Sequence, residues 1–432
     1  MLVKSHLRRF VRSAGAYSYG QIATIVVQFI QVPLFLKYFG VQKYAEWIVV
    51  TGIPLTMVML DMGVAQASST RSTIAAGRTD WNEARNTLKT AKYYTLATGA
   101  LLIIISIGVA IKINIKEILK LNIITSLEAS SLIVLMAIYV GINLQGNVLA
   151  AWMSTSGKMA ISAFIDANSR ILDTVVIAIV LVAGGGVVSV GIGLVLSAAT
   201  IRSIHHLVAN KTAIYELRKQ GEASWSEFKK IIKPAIGYLG FPVAQIVTLQ
   251  GSLQILNQIA TPLLVVGFTT TRTLTRLILN IGAVSSNALK PELSKLIGSN
   301  QLKEAKDLCR KVTLGSCILA FLIYFLIIGM GPWILNKWTA GKVNQTHLLV
   351  AIIALHALTN VLWFVPVSLK IAGNKHSVIG LVYLGTSILC ITIWWLNKQV
   401  MNPIYAASFL LAVPEIVVSM YYLSREKSGL HA

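Results

Sequence analysis

Arg272 and Arg276 lie near the middle of an apolar stretch, Thr261 to Ala283, that is long enough to cross a bilayer as one helix. Five threonines from Thr269 to Thr275 surround them, and the stretch holds no acid. Residues four apart share a helix face, so the two guanidiniums stack roughly 6 Å apart along the axis. An arginine at the bilayer centre costs from about 3 to more than about 10 kcal/mol, so it must face water, protein or a ligand. Its planar fork of donors suits phosphate or carboxylate. The competing reading pairs both with acids on other helices, or lets them snorkel to the interface.

Other polar residues sit in apolar surroundings. Arg170 lies between Asp166 and Asp173, at spacings that put all three on one face. They read as an intrahelical ion-pair cluster, or as a switchable site that releases Arg170 to an anion or titrates with transport. Asp61 near the end of its span fits a cap, a gating contact or a proton-coupling acid, and Glu415 after Pro414 an ion site or a cavity-facing acid. Gln28 and Gln31, with Asn143, Gln145 and Asn147, could meet sugar hydroxyls in a polar lumen or bond between helices. His205, His206 and His356 have no metal-ligand spacing and read as structural, as do Cys309, Cys317 and Cys390. Gly184-Gly185-Gly186 joins two apolar runs and reads as a turn. With no Walker motif, nucleophile elbow or zinc signature, an enzyme reading has no support, and no cofactor is called for; proton or sodium coupling stays open.

The elements that must hold these residues are membrane helices. The chain of 432 residues is 55% hydrophobic and 12% charged, about half the charged share of a soluble protein. Apolar runs predict about twelve spans, near 16–36, 46–66, 93–111, 130–150, 161–183, 187–208, 234–255, 261–283, 313–331, 348–369, 377–396 and 403–423. Of the 38 lysines and arginines, 27 fall on the side of the N-terminus and 8 on the other. That bias puts both termini in the cytoplasm and accounts for most of the +22 net charge, without nucleic acid. The expected organisation is an N-lobe over 1–210, a cytoplasmic linker over 211–233, and a C-lobe over 234–432. Within the linker, Ser224-Trp225-Ser226-Glu227 reads as a capping box opening a short amphipathic helix to Lys233, before Pro234 starts the next span.

The halves echo each other. Leu60-Asp61-Met62-Gly63 matches Leu279-Asn280-Ile281-Gly282, and Gly77 with Glu83-Ala84-Arg85 matches Gly298 with Glu304-Ala305-Lys306. Ser156-Gly157-Lys158 matches the turn at Ala372-Gly373-Asn374-Lys375. In this order they support a duplication of six spans with the same orientation, related by an axis along the membrane normal.

Gln21, Gln28, the run Pro33–Gly40, Tyr44-Ala45-Glu46-Trp47 and Leu60-Asp61-Met62-Gly63 together resemble Wzx-type polysaccharide flippases. These belong to the multidrug/oligosaccharidyl-lipid/polysaccharide exporter superfamily, whose eighth span and following loop are similar to Asn280–Pro291 and the segment around Glu304. The resemblance implies a two-lobe inner-membrane protein of a bacterium that works by alternating access. Its implied cargo is an undecaprenyl-diphosphate-linked oligosaccharide such as an O-antigen unit, engaged by Arg272, Arg276 and Arg170. A polysaccharide polymerase and a chain-length regulator are the further partners it suggests, besides membrane lipids. Two rivals are a cation-coupled drug antiporter of the same superfamily and a membrane-embedded polysaccharide polymerase. The second would be expected to need a large outside loop, and the longest, Lys112–Glu128, is short.

Overall fold

A computed structural model describes residues 2–56, 62–119, 121–339, 341, 343–397 and 402–427. Every regular element among them is an α-helix. The chain divides into two compact units, Met1–Ala235 and Ile236–Ala432. The first contains α1 (Leu2–Thr56), α2 (Met62–Gly77), α3 (Trp81–Lys112), α4 (Ile115–Ile118), α5 (Ser126–Thr155), α6 (Met159–Val182), α7 (Val187–Thr212) and α8 (Tyr215–Arg218), and the start of α9 (Trp225–Ile259). The second takes the rest of α9 with α10 (Pro262–Gly298), α11 (Leu302–Trp338), α12 (His347–Ala372), α13 (Ser377–Leu396) and α14 (Pro403–Lys427).

Among the described residues, nine segments are long and apolar enough to cross a membrane. The expected spans missing from that set are 46–66, 161–183 and 261–283. The last two lie in α6 and α10, whose charges and threonines dilute their hydropathy. Apolar side chains such as Phe29, Ile104, Leu196, Phe325 and Leu381 are exposed, as a lipid-facing surface requires. The protein is an all-α, multi-pass membrane protein.

Two boundaries differ from expectation. The first two spans are not separated by a loop: α1 is broken only at Gly40, whose φ of 72° and ψ of 173° favour a residue without a Cβ. The amphipathic helix of the linker does not stop at Lys233. Ser224 caps it through the Glu227 amide at 3.1 Å, but the helix continues through Pro234 to Ile259. Glu227 bonds Lys230 and Arg71 rather than closing the box. Pro234 is the tenth residue of α9, past the first turn, so it leaves the carbonyl one turn before it without its amide donor, and the helix runs on through it.

The internal echo is realised as backbone geometry. After α2, the amide of Asp80 bonds Ala75 O at 2.9 Å, and Thr79 takes a φ of 61°. After α10, the amide of Gln301 bonds Leu296 O at 2.9 Å, with Asn300 at 58°. The pair Lys158 to Met153 O and Lys375 to Lys370 O repeats this, with Gly157 and Asn374 left-handed. All four are the same helix stop, in which a left-handed residue lets the next amide reach back to an orphan carbonyl. Ala84 and Ala305, which follow at matched positions, are both fully buried.

Glycines bring helices close. A Cβ on Gly240 of α9 would sit 2.4 Å from Gly380 O on α13, and one on Gly380 would sit 2.2 Å from Gly237 O. In the first unit Gly99 and Gly141 play this part between α3 and α5, at 3.2 Å.

The connection between α3 and α5 is tied down by one carboxylate. Glu46, 8% exposed, accepts from the amides of Asn122 at 2.7 Å, Ile123 at 3.0 Å and 3.1 Å, and Ile124 at 2.7 Å. Thr125 and Glu128 then form a reciprocal capping box that starts α5. Glu46→Ala strips three amides of their acceptor, at a cost of about 2 kcal/mol. Hydrogen exchange at Asn122, Ile123 and Ile124 is expected to rise by about tenfold or more.

Candidate functional site

In the first unit the three charges of α6 do not pair with one another. Arg170 is exposed and reaches α1, donating to Thr24 Oγ1 and, at 3.3 Å, to Gly20 O. Asp166 instead accepts from Arg202 of α7 at 2.5 Å, and Asp173 accepts from Tyr139 at 2.7 Å and Ser197 at 2.6 Å. The intrahelical cluster is therefore corrected. α6 packs against α1, α5 and α7, and these neighbours supply better-placed partners than its own face.

Arg202 is the residue that sequence reasoning missed: it lies near the cytoplasmic end of the expected span 187–208 and was counted with the cytoplasmic charges. Its side chain is 13% exposed, and Asn143 Oδ1 accepts from its Nε at 3.1 Å and its Nη2 at 3.0 Å. His205 Nδ1 lies 3.2 Å from its Nη1, and His205 Nε2 lies 3.3 Å from Ser162. Gly146 makes room for this group, because a Cβ there would lie 2.4 Å from Arg202 Nη1. The small residue one turn from Asn143 was the available signal. Gly146→Ala should push the guanidinium off Asn143 and Asp166 and cost about 1–2 kcal/mol, less than for a dry pair because Asp166 is partly solvated. A double-mutant cycle with Arg202→Met, read by thermal melting in detergent, is expected to be strongly non-additive.

The expected sugar-binding amides mostly join helices. Gln31 donates to Thr174 at 2.9 Å and Gln145 to Thr95 at 3.2 Å. Asn143 accepts from Arg202, while Gln28 is exposed. Asp61 lies outside the described residues.

In the second unit, Arg272 is half-buried on α10. It donates to Leu249 O of α9 at 2.8 Å and lies over the Phe268 ring at 5.8 Å from its centroid. Arg276, one turn on, is exposed. Neither makes an ion pair among the described residues, so the pairing that would have neutralised them is not formed. One carbonyl occupies a single donor of Arg272 and leaves most of the fork available.

Glu415, expected as an ion site or a cavity-facing acid, is enclosed within the second unit. It is 0% exposed and accepts from Tyr383 at 2.5 Å, Trp363 at 2.5 Å and Asn360 at 3.1 Å. His356 Nδ1 lies 3.5 Å from its Oε1. The nest draws on α12, α13 and α14, helices far apart in sequence from one another's polar residues, and no periodicity reveals it. Among the described residues, no group of three or more His, Cys, Asp or Glu is placed to hold a metal ion. An apolar cavity of about 200 Å³ lined by Ile105, Val109, Ile115 and Ile133 lies apart from these charges and suits hydrocarbon.

A MATE transporter of Vibrio cholerae, VcmN in a mutant form, superposes with a TM-score of 0.78, covering 99% of this chain and 97% of that one at 12% identity. The chain has the MATE transporter fold. A multidrug resistance MATE family transporter of the MOP superfamily in an outward-facing conformation matches this fold at a TM-score of 0.74, 13% identity, and 98% and 96% coverage. So does a MOP superfamily transporter from Pyrococcus furiosus, described as having a binding pocket of reverse polarity that suggests a different function, at 0.72, 12% identity, and 98% and 96% coverage. No family model and no curated protein matches the sequence. The MATE fold supplies the two-lobe, many-helix architecture and leaves the cargo to the side chains.

Proposed function

We propose that the chain is a transporter that flips an anionic amphiphile across a bacterial inner membrane by alternating access, with both termini in the cytoplasm. The preferred cargo is an undecaprenyl-diphosphate-linked oligosaccharide. The observation that carries this reading is the pair Arg272 and Arg276, a turn apart in the N-terminal half of α10 and without a carboxylate partner among the described residues. A diphosphate with its sugars cannot enter hydrocarbon unaided, because each unpaired charge or hydroxyl costs several kcal/mol to bury. Two guanidiniums replace part of the water shell, while the polyprenyl tail stays in lipid. To drive a change of state, the cargo must bind one state more tightly than the other. No bond in the cargo is made or broken, and membrane lipids, a polymerase and a chain-length regulator are the natural partners.

A second reading, export of organic cations against protons or sodium, is favoured by the likeness to proteins named as multidrug transporters and by the buried acid Glu415. The two readings differ in the sign of the cargo. Proteoliposomes carrying a fluorescent polyprenyl-diphosphate sugar, or a fluorescent organic cation under a pH or sodium gradient, separate them. Movement of the first alone supports the flippase. Movement of the second alone overturns it.

A further inference from the structure

The apolar cavity of the first unit is walled by α3, α4 and α5, with Ile105, Ser106, Val109, Ile115 and Ile133 among its lining residues. Its floor is core: Ser106, Ile115 and Ile133 are buried, and the last two share one cluster with Trp47 and Leu132. Its rim is open, with Ile105, Ile113 and Ile118 exposed. From Ile105 to Ile113 the chain rises about 12 Å, close to the roughly 15 Å of hydrocarbon in one leaflet. Ser106 brings the only side-chain polar group among the described lining residues, so water there would lack partners. Left empty, the walls would lose contacts on one side. The bilayer offers hydrocarbon at the rim.

The mouth of the cavity is basic. Lys112 follows Ile105 and Val109 at helical spacing on one face of α3, in its last turn, and is exposed. Lys116 stands on α4 next to the lining residue Ile115. Neither lysine makes an ion pair among the described residues, and Glu117 is bonded to Asn114 at 2.7 Å. The wall that α4 forms is fixed without a ligand, because Glu46 holds the amides of Asn122, Ile123 and Ile124 just beyond it.

We propose that this cavity binds one acyl chain of an anionic phospholipid, whose phosphate lies against Lys112 and Lys116. Chain and headgroup act differently. A lipid tail is as apolar as the helix surface, so the cavity fixes where the chain sits without choosing among lipids. The two ammonium groups choose the charge. Because the wall is set beforehand, little of it must be ordered on binding.

The test places the full chain in nanodiscs with a trace of phosphatidylglycerol carrying a diazirine in one acyl chain, and maps the label after illumination. Label should concentrate on Ile105–Leu119 and around Ile133. Phosphatidylcholine with the same chains should label these segments about tenfold less. Lys112→Gln with Lys116→Gln should erase that preference and leave thermal melting unchanged. Val109→Phe fills the cavity and should clear both lipids from these segments, while label on exposed residues such as Phe325 persists; Ile105→Phe serves if Val109→Phe folds poorly. Glu46→Ala, which frees the wall, should lower the label severalfold. Even labelling of all lipid-facing helices overturns the site, as does label that survives both filling variants. Equal labelling by the two lipids, or indifference to the lysine pair, overturns the anionic headgroup. A diazirine-bearing polyprenyl phosphate that outcompetes phosphatidylglycerol would assign the cavity to a cargo tail and overturn the phospholipid.

Discussion

Replacing Arg272 and Arg276 together by alanine is expected to reduce flipping of a polyprenyl-diphosphate sugar by at least about a hundredfold while the protein still inserts and folds. Two charge-assisted bonds to a phosphate contribute about 1.5–3 kcal/mol each, and in a low-dielectric setting they do not sum to less than one of them. Folding should survive, because the described contacts of Arg272 are one carbonyl and one aromatic ring, and Arg276 is exposed. Arg272→Lys keeps the charge but loses the fork, so a loss of about tenfold is expected from it alone. Initial rates in proteoliposomes at matched protein density measure both, and thermal melting confirms the fold. Full activity in the double alanine variant would remove the case for an anionic cargo.

Gly240→Val should be strongly damaging to stability. Even one carbon at this position meets the Gly380 carbonyl at 2.4 Å, and that carbonyl is backbone, so no rotamer can yield. Helices in lipid associate through close packing of small residues rather than through a hydrophobic drive, so prising α9 from α13 removes what holds them. A cost of at least about 3 kcal/mol is expected, seen as a lower melting temperature and reduced folded yield. Gly52→Ala, whose Cβ would meet nothing within 4 Å, is the matched control and should be silent.

How much of this was legible in the chain depends on distance along it. The helices, the duplicated turns and the arginines of α10 follow from local rules: apolar length, a left-handed residue after a helix, a charge in an oily run. The partners do not. Asp166 has Arg170 four residues away and chooses Arg202 on another helix; Glu415 finds its donors on two other helices. Such choices are made by packing, which spacing along one helix cannot express. Gly146 was visible as a small residue, but its reason, a guanidinium lying across it, appears only once α5 and α7 are side by side. Likewise the capping signal at Ser224 placed a helix start correctly and gave no information about where that helix ends.

The left-handed stops at Thr79, Gly157, Asn300 and Asn374 also fix the angular phase of whatever follows them. Each residue of helix advances the side chains by about 100°, so a deletion in one of these stops would turn the next helix by more than a quarter revolution about its own axis. Removing Thr79 would swing Ala84 out of the core and bring a larger neighbour in, though the deleted residue itself touches little. A threonine, branched at Cβ and strained at positive φ, can hold that position because a rotated helix would cost far more.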